Sequence, residues 1–120
     1  MKALVSKEVL ASAEAVGKAA TVYTRSRKFH DCDGTACCLI ASTAGSITVT
    51  QQCSLDNVNW YDPETASGAA GAVEDGITVT TGRYLSFTPV LCDYIRFKIV
   101  EANSAATVVS LTLAYRVENF

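Results

Sequence analysis

The stretch Ile47-Thr48-Val49-Thr50-Gln51-Gln52-Cys53-Ser54-Leu55-Asp56-Asn57-Val58-Asn59-Trp60-Tyr61-Asp62 decides the fold class. Its first half alternates. Ile47, Val49, Gln51 and Cys53 share one face, and Thr48, Thr50, Gln52 and Ser54 share the other. A period of two is that of a strand with one side against a core. Ser54, Asp56, Asn57 and Asn59 follow, side chains that bond nearby backbone and tolerate tight-turn dihedrals. Trp60 and Tyr61 bring the chain back, and both suit a half-buried pleated surface.

Downstream, Ile95, Phe97 and Ile99 alternate with Tyr94, Arg96 and Lys98. Beyond a polar loop at 101–106, Val109, Leu111, Leu113, Tyr115 and Val117 alternate with Ser110, Thr112, Ala114, Arg116 and Glu118. Each run has one apolar and one wet face, and the two are expected to pair as a hairpin. Between them and the opening stretch, residues 64–76 are rich in Ala and Gly without apolar periodicity, which predicts a long loop. Ile77-Thr78-Val79-Thr80 alternates again. Tyr84, Leu85 and Phe87 form a further strand that Pro89 ends.

Upstream, residues 35–43 (TACCLIAST) read as a short buried strand. Ala44-Gly45-Ser46 is so tight a turn that an antiparallel hairpin with the Ile47 strand is expected. Asp31-Cys32-Asp33-Gly34 reads as a turn, and Thr21-Val22-Tyr23-Thr24 as a strand that residues 25–30 extend along an exposed edge. Residues 3–10 read as an arm or edge strand, and the Ala-Ser-Ala-Glu-Ala run at 11–15 as a connection or short helical turn. About eight strands with no helical pattern between them predict an all-β fold, an antiparallel two-sheet β-sandwich that is jelly-roll-like. Residues 1–20 form its N-terminal arm or edge strand, and residues 21–120 a single β-sandwich domain.

A chain of 120 residues with 49% hydrophobic and 18% charged residues builds a real core. The net charge of -2 and the scattered Lys and Arg argue against nucleic acid as a partner. Ser6, Lys7 and Glu8 interrupt the apolar start, so no signal peptide is read there, and no run is long enough for a membrane span. The chain is expected to be made and kept in the cytoplasm unless it leaves inside a larger particle. Five cysteines, an odd count, fit free and mostly buried thiols better than a disulfide framework.

Candidate chemistry is thin. His30, Cys32, Cys37 and Cys38 match the number of ligands in a structural zinc site, but the spacing holds no CxxC pair, and adjacent Cys37 and Cys38 point to opposite faces of a strand. Asp56, Asn57, Asn59 and Asp62 are oxygen-rich, but they lack the spacing and terminal Glu of a calcium loop, and turn chemistry explains them. No phosphate loop, nucleophile elbow or metalloprotease motif is present, so neither an enzyme, a cofactor nor a metal is expected. Trp60 is expected to pack between the sheets. Tyr94, on the wet face of its strand, is the better contact residue.

Three segments together resemble small β-sandwich structural proteins of tailed bacteriophages. They are Ile47-Thr48-Val49-Thr50 with Ser54-x-Asp56-Asn57-x-Asn59-Trp60, then Gly82-Arg83-Tyr84, then Tyr94-Ile95-Arg96-Phe97-Lys98. In that group a strand is followed by S-x-D-G-x-x-W and a later strand carries Y-[IV]-R-[FV]; here Asn57 stands where Gly is commoner. The resemblance spans roughly residues 35–118. It implies a non-enzymatic virion structural protein, a capsid decoration or stabilising subunit assembled in the host cytoplasm. Its partners would be copies of itself and other virion proteins, such as a major capsid or tail protein. Leu4, Val5, Val9, Tyr84, Tyr94, Ala69 and Ala70 are the expected contact residues, on the arm at 1–12, the 64–76 loop and two strands. On this expectation, deleting residues 1–12 weakens attachment and leaves the sandwich folded. Carbohydrate-binding sandwiches share S-x-D-x-x-x-W turns, so a second reading is a glycan- or receptor-binding module of a tail or fibre using Tyr94, Tyr84 and Trp60.

Overall fold

The computed structural model describes residues 2–29, 32–63, 72–77 and 83–119. Among them run β1 (Lys2–Val16), β2 (Thr21–Tyr23), β3 (Arg27–Lys28), β4 (Cys32–Ser42), β5 (Ile47–Ser54), β6 (Ala72–Ile77), β7 (Arg83–Phe87), β8 (Tyr94–Glu101) and β9 (Thr107–Asn119). Sheet I has the order β1-β9-β4-β7, and sheet II the order β2-β8-β5-β6, with β3 also on β8. β2 pairs Thr21 with Val100 and β3 pairs Arg27 with Ile95, a one-residue slip that makes them a single bent strand along β8. Counted so, the described residues form the expected eight strands, and all the pairings among them are antiparallel.

The two ends of the chain interleave. First and last strands are neighbours in sheet I, and β2 and β8 are neighbours in sheet II. That wiring is a jelly roll. The alternating faces meet between the sheets: Ile40, Val109, Leu111 and Leu113 from sheet I, and Ile47, Val49, Ile95, Phe97 and Ile99 from sheet II, all fully buried. Edge-to-face ring pairs, Phe29 with Tyr115 at 5.8 Å and Phe87 with Phe97 at 6.1 Å, add specific contacts to the core.

Both expected hairpins are absent. β4 lies in sheet I and β5 in sheet II, and likewise β9 and β8, so each tight connection crosses the sandwich. Alternation states which side of a strand is buried, not which strand lies beside it. A crossing of about 10 Å needs backbone partners in the turn itself. Thr107 and Glu101 supply them. Thr107 Oγ1 accepts from the N–H groups of Thr43 (3.2 Å) and Ala44 (3.1 Å), and Glu101 accepts from that of Ser46 (3.0 Å).

Three local expectations also change. Residues 11–15 are neither connection nor helical turn: they continue β1 through register shifts at Val9/Ala11 and Ala11/Glu14, with Ala13 at φ 48°. Pairing with β9 overrides alanine's helical preference. Cys32-Asp33-Gly34 is not a turn but the start of β4, and a register shift between Cys32 and Ala36 absorbs the extra residues. The Ala- and Gly-rich loop ends early, because β6 pairs Ala72, Glu74 and Ile77 with β5. The rest of that loop, residues 64–71, and the Thr78–Thr80 part of the next expected strand lie outside the described residues.

Candidate functional site

Sheet I carries a mixed outer face on which several large apolar side chains are exposed. Leu39 on β4 is the register partner of Thr112 on β9 and of Tyr84 on β7, and Thr112 is in turn the partner of Val9 on β1. Val9, Thr112, Leu39 and Tyr84 thus form one row across all four strands. Their outward direction follows from the pleat, since the next residues along, Leu10, Leu113, Cys38 and Ile40, face the core. Tyr84 is 69% exposed, Val9 48% and Leu39 46%. The adjoining row holds Lys7, Ala114, Cys37 and Ser86, and Val5, 78% exposed, lies one step further along β1. Cys37 Sγ and Tyr84 Oη are 2.9 Å apart, which sets the ring, and the phenol proton shared with the neighbouring sulfur raises the tyrosine pKa. Shallow depressions among Val9, Leu39, Tyr84 and Ala114, and among Val5, Cys37, Tyr84 and Arg116, give this face relief.

Sheet II is different outside. The Arg96 guanidinium lies between two rings, 4.3 Å from the centre of Tyr23 and 4.4 Å from that of Trp60. Arg96 Nε donates to Gln52 Oε1 at 2.8 Å, Gln52 Nε2 to Asp62 Oδ1 at 2.9 Å, and Lys98 Nζ to Asp62 Oδ2 at 3.2 Å. These bonds hold Asp62 below the usual carboxylate range, the Gln52 bond first. Tyr94 is on the same outer face and half-buried. Trp60 is not between the sheets as expected. The turn that starts at Ser54 returns beside β5, where Tyr61 and Cys53 exchange both backbone bonds, and this lays the indole on the outer face under Arg96.

The turn itself is closed by Asp56. Its carboxylate accepts from Val58 N–H (2.9 Å), Asn59 N–H (2.8 Å), Asn59 Nδ2 (2.7 Å) and Ser54 Oγ (3.0 Å), and Asn57 takes φ 61°. Those donors, Asn59 first, hold the carboxylate well below its ordinary range. Asp62 is engaged elsewhere, so the four oxygen-bearing residues do not converge on one ion.

Of the expected contact residues, Val5, Val9 and Tyr84 come together on the outer face of sheet I. Tyr94 belongs to the opposite face of the molecule. Leu4 lies on β1 opposite Val117, with its side chain outside the described residues, as are Ala69 and Ala70 entirely. Tyr84 is therefore separated from Tyr94 and Trp60 by the whole sandwich, and the three cannot line one sugar site. His30 and the Cys32 side chain also lie outside the described residues, while Cys37 faces out and Cys38 in. Leu39 was missed, because a continuous apolar run reads as buried on both sides; only the strand's position in sheet I shows that its odd-numbered residues face out.

No family model and no curated protein matches the sequence. The fold does have solved counterparts. The VP2 chain of an infectious bursal disease virus subviral particle aligns at a TM-score of 0.62 with 12% identity, over 98% of this chain and 33% of that one. The PBSX exported protein XepA aligns at 0.58 with 16% identity, over 96% and 38%. The SPBc2 prophage-derived protein YomS aligns at 0.54 with 9% identity, over 95% and 96%. This chain is thus about a third of the length of VP2, under two-fifths of XepA and nearly all of YomS. At such identities the likeness is one of fold: this sandwich occurs in viral and prophage-derived proteins.

Proposed function

We propose that this chain is a non-enzymatic structural subunit of a phage-type particle, a capsid decoration or stabilising subunit that packs the outer face of sheet I against a neighbour. The carrying observation is the exposed row Val9–Thr112–Leu39–Tyr84 with Val5 beside it. A monomer gains nothing from exposing Val5, Val9, Leu39 and Tyr84 together, whereas a subunit in a repeated array buries them. The likeness to VP2 from a subviral particle and to prophage-derived YomS supports the reading, as does the resemblance to phage structural sequences. β1 adds to it: it is long, it lies at the edge of sheet I, and its outer side offers backbone groups to another strand.

The test is the solution mass of the purified chain by light scattering across a hundredfold concentration range. Mass that rises to a defined oligomer supports the reading. A monomer throughout, which also fails to associate with phage capsids in co-sedimentation, overturns it.

A further inference from the structure

We propose that Cys53 and Cys92 are a thiol pair built to close into an intramolecular disulfide when a small-molecule disulfide oxidant reaches them. Their geometry carries this. Gln51 Nε2 lies 3.3 Å from Cys53 Sγ and 3.6 Å from Cys92 Sγ, so both sulfurs sit against one nitrogen. The arrangement is held. Gln51 is buried on the inner face of β5, and its carboxamide makes two bonds to the Val90 backbone: Nε2 to Val90 O and Val90 N–H to Oε1, both 2.9 Å. That clamp fixes the segment between β7 and β8 that carries Cys92. A bond of about 2.05 Å then has to form between two sulfurs already held beside one carboxamide.

Cys53 is half-buried and reachable, while Cys92 behind it is 4% exposed. Cys53 and Cys92 line a surface cleft of about 260 Å³ with Leu55, Tyr61 and Leu91. Cys38 is the contrast. It is fully buried and its thiol is pushed up to about 12 by burial. Within the pair, the neighbouring Cys92 thiol lowers the pKa of Cys53 and Cys53 raises that of Cys92, which makes Cys53 the first nucleophile.

With oxidised glutathione the chemistry balances. The Cys53 thiolate attacks one glutathione sulfur, the glutathione S–S bond breaks, and the leaving thiolate takes up a proton equivalent to the one Cys53 released. Cys92 then loses its proton to solvent and attacks Cys53 Sγ of the mixed disulfide, expelling the second glutathione, which is protonated in turn. Two protein thiols are oxidised and one glutathione disulfide is reduced. The bridge ties the end of β5 to the entry of β8 and encloses the whole β6–β7 excursion, so it stiffens the folded chain without a new subunit contact.

The test uses the intact, fully reduced chain incubated with oxidised glutathione, then unfolded, alkylated and mapped by mass spectrometry. The expected result is two of the five cysteines lost to alkylation, a Cys53–Cys92 linked peptide, unchanged mobility as a monomer under denaturing conditions, and a Tm higher by roughly 5–15 °C. The Cys92→Ala variant should stop at a mixed disulfide on Cys53. Five alkylated cysteines after prolonged incubation, or a bridge between other cysteines, would overturn the proposal, and the wild-type chain alone delivers either result.

Discussion

Val9 and Tyr84 stand on opposite edge strands of sheet I, yet they close the two ends of one cross-strand row, joined through Thr112 and Leu39. The central member, Leu39, is the place to break the face without touching the core. A Leu39→Asp chain should fold with a stability change within about 1 kcal/mol, the span of strand preferences at exposed positions. Its self-association should fall at least about tenfold, as expected for a charge introduced at the middle of a buried contact. Sedimentation at matched concentrations checks it, and equal association constants would remove this face from the account.

The N-terminal segment cannot be treated as a detachable arm. Leu10 and Ala11 are buried in the core, and Glu8 takes ion pairs from Arg27 at 2.8 Å and Arg25 at 3.6 Å. Deleting residues 1–12 should therefore cost at least the about 2–5 kcal/mol of an emptied leucine site. That is a large share of a typical total of about 5–15 kcal/mol. Urea unfolding followed by circular dichroism should show a much lower midpoint or no cooperative transition. Val5→Asp, at a largely exposed side chain, tests the contact role of the same strand with the fold intact.

The fold class was legible because the inward residues of β5, β8 and β9 repeat with a period of two, and they are the residues that fill the core. Strand order was not. The turn at 44–46 and the loop at 101–106 look like hairpin connections, and only the side chains of Thr107 and Glu101 reveal that they cross between sheets. The proposed contact face is half legible: Val5, Val9 and Tyr84 are among the expected contact residues, but Leu39 is hidden in a run whose neighbours are buried. Trp60 misled because size favours burial, whereas Arg96 offered its ring a partner outside the core.

Glu101 gives the chain an acid limit. Buried at the end of β8, it accepts from the backbone N–H of Ser46, Ala19 and Ser104 at 2.8–3.2 Å, which pulls its pKa down to about 2, the Ser46 bond contributing most. In the unfolded chain the value is about 4.3. A carboxyl depressed on folding stabilises fully above the unfolded value, and that contribution is lost as pH falls toward about 2. The Tm of the wild type should therefore drop steeply between about pH 4 and pH 2. Glu101→Gln should be less stable at pH 7 and flatter across that window. Parallel slopes for the two chains would show that other carboxylates set the acid limit.

Gly45 belongs to the same device. It sits at φ 77°, and a Cβ there would lie 2.8 Å from Ala105 O and 2.9 Å from Glu101 Oε2. Gly45→Ala should cost about 1–3 kcal/mol through backbone strain and displacement of the carboxylate. Gly17→Ala is the control, since its Cβ would meet nothing nearer than Ala20 Cβ at 3.6 Å. Chemical denaturation of the pair should separate them clearly, and equal midpoints would mean that the turn at Gly45 relaxes freely.

Trp60, the one tryptophan, reports on the outer face of sheet II. Its ring is covered by Arg96, which Tyr23 covers from the other side. Arg96→Ala uncovers both rings and strands Gln52 Oε1, so emission should shift to the red and stability should fall by about 1–2 kcal/mol. Arg96→Lys keeps the charge but not the planar stack, and should recover only part of each. With Arg96 over one face of the indole, less of the ring is open to a sugar. Titration of the wild type with a panel of soluble glycans should leave the emission unchanged. Saturable quenching by one of them would bring the glycan-binding function back and move the working surface from sheet I to sheet II.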